Sequence, residues 1–221
     1  MKKDVPTSIT AVSVELIEKL GEVGIDAYID GEILKDIPIL GSIVSVFKLS
    51  QSVTDYLLLA KIKKFSENIA DISQADRDAF NKRMNDKSNF SKTSRMILHY
   101  LNCYDSEQKA VILGYIFSQF ISGTVKEKTL KKFASLVGQI QVDELRNFVL
   151  ADGKFDWSSA HEYIAHGIAI FEVPKIETLA DIGPKTNLDQ TGMTYGVNPW
   201  GAEVIRVLKP FFVSDRDKGD L

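Results

Sequence analysis

Apolar residues recur at three- and four-residue steps over most of this chain, and that spacing predicts helices. The stretch from Ile33 to Ile72 organises the rest. It contains the charge-free apolar run Ile37 to Phe47 and then becomes a cationic amphipathic segment. Pro38 fits the first turn of a helix, and Asp36 stands where an N-cap would be. Ile39, Ile43, Val46 and Phe47 share a face, with the small residues Gly41, Ser42 and Ser45 allowing close helix approach. After a polar insert from Lys48 to Asp55, the stripe resumes as Leu57, Leu58, Ile62, Phe65, Ile69 and Ile72. Lys61, Lys63 and Lys64 lie off most of it. Upstream, Ser8 to Ile29 reads as a helix broken near Gly21 or Gly24, and Asp30-Gly31 as a turn.

Downstream, three more helices are predicted. Ser73 to Met84 has a cap-like start, and Ser91 to Leu101 carries Met96, Ile97 and Tyr100. Ser106 to Ile121 has Ala110, Ile112, Leu113, Ile116, Phe117, Phe120 and Ile121 on a broad apolar face. Gly123 is a C-terminal stop. From Val125 the pattern changes. A helix around Leu130, Phe133 and Leu136 precedes Val142 to Leu150, the Asp152-Gly153 turn and a helix over Asp156 to His166. Strand-like runs at Gly167 to Val173 and Gly192 to Val197 flank a polar loop. A helix from Pro199 to Leu208, capped by Asn198, closes the fold.

The expected class is therefore mainly α. An N-terminal helical bundle over residues 1–123 is followed by a winged-helix-like α+β module over 124–214. The charged tail 215–221 is expected to be disordered.

The chain has 221 residues and a formal net charge of -3. Nucleic-acid binding through phosphates usually shows as a basic surplus, and none exists overall. The single cysteine, Cys103, rules out an intramolecular disulfide and suits a reducing, cytoplasmic setting. No uncharged apolar segment reaches the ~18 residues that a spanning helix needs.

Candidate chemistry is sparse. His161 and His166 are five residues apart, where a zinc-protease helix needs four, so their imidazoles diverge around the helix. His99 and Cys103 can face each other as base and nucleophile, but no orienting third group follows from the pattern. Gly21 and Gly24 lack the rest of a phosphate loop, and no serine elbow is present. No catalytic, cofactor-binding or metal-ligating residue is assigned, and the expectation is a protein without enzymatic activity. DNA reading is disfavoured. The helix Asp156 to His166 has no Lys or Arg, and the hairpin offers only Lys175 and Lys185. Ile39, Ile43, Phe47, Lys61, Lys63 and Lys64 form the candidate membrane or partner surface. The competing expectation is burial of Ile39, Ile43, Phe47, Leu58, Ile62 and Phe65 as the central hairpin of the helical domain, with Lys stems over its edge.

Ile33-Leu34-Lys35-Asp36-Ile37-Pro38 with Gly41, then Asp55-Tyr56-Leu57 and Lys61 to Phe65, resemble a group of bacterial helical proteins of the abortive-infection-alpha type. Ser94-Arg95, Tyr100-Leu101, Gln108-Lys109-Ala110 and Gly123 also fit it. Asn198-Pro199-Trp200-Gly201-Ala202 is similar to the Leu-Thr-x-x-Gly helix start of winged-helix modules, with Val197 and Asn198 in place of Leu-Thr. The resemblance implies a context of phage defence and no catalytic residues. The expected function is protein-partner binding or self-association in a regulatory or effector role. A membrane-acting effector using residues 37–65 and a DNA-binding regulator are the alternatives.

Overall fold

The computed structural model describes residue 37 and residues 53–69, 72–84, 87–172 and 194–218. The helix expected over Ser8 to Ile29, the Asp30-Gly31 turn and the run Ile37 to Phe47 lie outside these residues, except for Ile37, which is buried. The described residues form eight helices and one two-stranded antiparallel sheet. In chain order they are α1 (Val53–Glu67), α2 (Gln74–Arg83), α3 (Lys87–Cys103), α4 (Glu107–Ile121), α5 (Glu127–Gln139), α6 (Val142–Leu150), α7 (Trp157–Ala165), β1 (Ala169–Glu172), β2 (Thr194–Val197) and α8 (Pro199–Lys218). The fold is thus mainly helical with a small sheet. It divides into two compact units, residues 1–138 and 139–221.

In the first unit, α4 is the central element. Its start is set by Ser106, whose hydroxyl accepts the Lys109 N–H. Ten of its fifteen residues are buried, among them all seven apolar positions expected from its sequence. Helix α1 lies against α4 so closely that a methyl added at Gly114 would overlap the Phe65 carbonyl. The face that α1 buries is Leu59, Ile62 and Phe65, and Ile69 just past its end is buried too. Leu57, expected on that stripe, is 53% exposed. It sits two steps of ~100° from the buried Leu59, on the opposite side of the helix.

Aromatic rings fill the space between α1, α2 and α4. Phe117 lies 5.4 Å from Phe65 and 5.8 Å from Phe80, and Phe80 lies 5.6 Å edge-on to Phe120. Ser73 caps α2 by accepting the Asp76 N–H. At the far end of α2, Arg83 donates to the carbonyls of Phe120 and Ile121 at the C-terminus of α4. Gly123, at φ +86°, then reverses the chain.

Sequence pattern alone assigned α5 to the C-terminal module, whereas the compact first unit runs through Gly138. The hydrogen bonding gives the reason. The buried Tyr104 hydroxyl donates to the Ala134 carbonyl at 2.9 Å, and the Lys109 ammonium donates to the Gly138 carbonyl at 3.3 Å. Lys109 also pairs with Asp105 at 3.2 Å, although its side chain is only 4% exposed. These bonds tie the C-terminal half of α5 to the α3–α4 turn.

In the second unit, α6 packs on α8. Leu145, Phe148, Val149, Val204, Leu208 and Phe212 are buried there, and the Arg146 guanidinium lies 5.8 Å over the Phe212 ring. Asp152 and Gly153 both take positive φ, 58° and 71°, so the expected turn is present. Gly153 is required twice over, because a methyl there would also run into Val197. Asp156 caps α7 by accepting the Ser159 N–H at 3.1 Å. Gly167, at φ +71°, ends it.

Strands β1 and β2 pair with Ala169 opposite Val197 and Phe171 opposite Tyr195. Asn198 then joins both ends of this arrangement. Its carboxamide accepts the Gly201 N–H at 2.8 Å and donates to the Gly167 carbonyl at 2.7 Å. Helix α8 continues to Lys218. Residues 215–218, expected in a disordered tail, are therefore helical. Pro210 lies inside the helix and forgoes the bond to the Arg206 carbonyl.

Candidate functional site

Among the sequence-predicted surface residues, Ile39, Ile43 and Phe47 lie outside the described residues. Lys61, Lys63 and Lys64 are half-buried on α1. Lys61 and Lys64 have separate partners. Lys61 turns to the α3–α4 turn and donates to the Tyr104 carbonyl. Burial pushes its ammonium below the ordinary lysine value, against the opposing charges of Asp105, Cys103 and Glu107. Lys64 pairs with Glu67 at 3.1 Å. Lys61 is thus a structural tie, holding the carbonyl of Tyr104 just past the end of α3.

The Cys103–His99 pair is real in geometry. The Cys103 sulfur lies 3.8 Å from His99 Nδ1 and 3.9 Å from Nε2. Both residues are exposed on the outer side of α3. Cys103 is therefore not a buried structural cysteine. His99 makes an edge contact with Tyr100 at 5.3 Å, and no walled cleft follows from these neighbours.

His161 and His166 diverge, as their spacing requires. His161 is exposed and its ring lies 6.2 Å from Phe171. His166 is half-buried, with Nε2 3.9 Å from Glu162. Among the described residues no group of three His, Cys, Asp or Glu is placed to hold a metal ion. Glu162 also meets Glu144 of α6. The Glu144 carboxyl, first as a hydrogen-bonding neighbour and then, after desolvation, through its charge, pushes the Glu162 pKa up.

The sign follows directly. The folded chain holds this proton above the ordinary value of 4.5, so the favourable contribution is complete below that pH and is lost as pH rises through the folded value. Glu162→Gln keeps a donor towards Glu144. The variant is expected to match wild type in urea unfolding below the ordinary carboxyl value of 4.5 and to gain on it as pH rises above that value. An advantage that is the same at both pH values would show that the Glu144 contact is not its source.

The hairpin carries the surface that sequence reading missed. Ile170 and Phe171 are each 43% exposed, and they are neighbours on β1, so they stand on opposite faces of the sheet. Phe171 contacts Tyr195 across the strands at 5.3 Å and lies beside His161 of α7, forming a ribbon of three rings. Ile170 is opposite Gly196, which has no side chain to cover it. The preceding residues Ile168 and Ala169 are buried, which anchors the strand and holds the exposed pair in place. The run Gly167 to Val173 signalled a strand. Its exposure depends on the pairing with Gly196, and a register is not written in the run itself.

No family model matches the chain, and neither a curated protein nor a solved structure matches it. No described helix is long and apolar enough to cross a membrane.

Proposed function

We propose that this is a cytoplasmic, non-catalytic interaction protein that works by binding a protein partner or a second copy of itself. The observation that carries the reading is the exposed pair Ile170 and Phe171 on a hairpin held by buried neighbours. Large apolar and aromatic side chains at fixed, exposed positions are the usual core of a protein interface. The order α6, α7, hairpin, α8 supports a winged-helix-like module that presents its wing to a protein. Helix α7 has no Lys or Arg to carry into a DNA groove. The residues resembling abortive-infection-alpha proteins supply a setting for such a regulator or effector, phage defence.

Sedimentation velocity over a concentration series tests the self-association arm. Wild type is expected to shift towards a dimer, and Ile170→Ser with Phe171→Ser to sediment as a monomer with an unchanged circular dichroism spectrum. Where wild type remains monomeric, the double variant must lose affinity for the protein that co-purifies with the chain from its own host. Unchanged association in both formats removes the hairpin from the interface.

A further inference from the structure

Helix α5 opens as Val125-Lys126-Glu127-Lys128-Thr129-Leu130-Lys131-Lys132, with four lysines against one acid. All four lysines are exposed. The other side of the helix is fixed in the core through Leu130, Phe133, Ala134, Leu136 and Val137. The charges are therefore displayed on a packed helix.

Their position is not what helix stability favours. The Lys126 carbonyl accepts the Leu130 N–H, so Lys126 stands at the N-cap and Lys128 in the first turn. That is the positive end of the helix dipole, where acids are stabilising and cations are not. Lys126, Lys128 and Lys131 form no ion pair among the described residues. No acid follows on the helix after Glu127. The surrounding sequence has the same bias. Residues 61–138 carry fourteen Lys and Arg against eight Asp and Glu, whereas residues 139–221 carry eight against thirteen. The overall charge of -3 hides this division.

A membrane-surface helix would place its apolar face in lipid. The apolar face of α5 is already buried in protein, and the exposed large apolar residues, Leu57, Ile170, Phe171 and Val213, are on other elements. Lysine is also a point charge without the planar fork that reads a guanine edge. The chemistry that fits is a chain of phosphates contacted without regard to base sequence.

We propose that the exposed face of α5, through Lys126, Lys128, Lys131 and Lys132, is a sequence-independent contact for the phosphate backbone of nucleic acid. This goes beyond the hairpin interface and uses different residues. Fluorescence anisotropy with the full chain and a labelled mixed-sequence DNA duplex tests it, with salt varied from about 50 to 200 mM. A second, scrambled duplex is expected to bind equally well. The logarithm of affinity is expected to fall against the logarithm of salt with a slope of magnitude about 3–4, as for four phosphates.

Lys128→Glu with Lys131→Glu should lower affinity about tenfold or more, and the Gln pair less, both without loss of melting temperature. Lys92→Glu with Arg95→Glu, an equal charge change on α3, should change it less than about twofold. Absence of duplex binding at the lowest salt overturns the proposal. So does an equal loss from the α3 pair, which would reflect net charge alone. Flotation with phosphatidylserine vesicles that excess duplex does not reverse would assign the face to a membrane.

Discussion

Phe117→Ala is expected to cost about 3–5 kcal/mol of folding stability, the largest effect of any single truncation proposed for this chain. The ring is fully buried on α4, and it is the one that Phe65, Phe80 and Phe120 all contact, at 5.4, 5.8 and 5.8 Å. These partners come from three helices. No single one can move in to fill the space without giving up its own contacts, so most of the cavity penalty should remain. Helix α4 is also held at both ends, by the Ser106 cap and by Arg83 on its last carbonyls, which limits collapse. Urea unfolding followed by circular dichroism measures the effect. A loss below about 1 kcal/mol would mean that the ring cluster is not the centre of the helical unit.

The second large effect is expected at Gly114. In the middle of a helix, Gly→Ala ordinarily stabilises by about 1 kcal/mol through helix propensity alone. Here it should destabilise, by about 2–3 kcal/mol, because the new methyl meets the Phe65 carbonyl of α1. The opposing atom is backbone, so no rotamer change relieves the overlap and α1 must shift away from α4. Leu59, Ile62 and Phe65 would lose packing together. Gly114→Ala should lower the urea midpoint with an unchanged slope, while Gly138→Ala, whose methyl meets only the Tyr104 ring at 3.3 Å, should cost less. A stabilised Gly114→Ala variant would contradict the close helix approach.

Most helices after Gln51 were legible because each combined an apolar period with a start or stop signal. Ser73 and Asn198 cap helices where the sequence places them, Ser106 and Asp156 cap two more, and Gly123 and the Asp152-Gly153 turn adopt the positive φ that their residue types favour. What periodicity could not settle was which of two adjacent apolar residues faces inward. Leu57 was assigned to the stripe and points out, whereas Leu59 is buried. The partner helix α4 decides this, and its position is not encoded in α1.

Long-range polar ties were equally invisible. Lys61 was a candidate surface residue, yet it reaches the Tyr104 carbonyl just past α3, and Lys109 reaches the Gly138 carbonyl near the end of α5. Those ties help explain why α5 stays with the first unit although the sequence pattern changes at Val125. The exposed hairpin residues were hidden for the same reason, because Gly196 is opposite Ile170 only once the strands are in register.

Leu59, Ile62 and Phe65, in the second half of the organising stretch, are core. Hydrogen–deuterium exchange of the intact protein, with and without phosphatidylserine vesicles, tests it most directly. Amides from Leu59 to Phe65 are predicted to exchange only on global unfolding, at the same rate with and without vesicles. Rapid exchange of this segment in buffer, or a change in its protection when vesicles are added, would contradict the account.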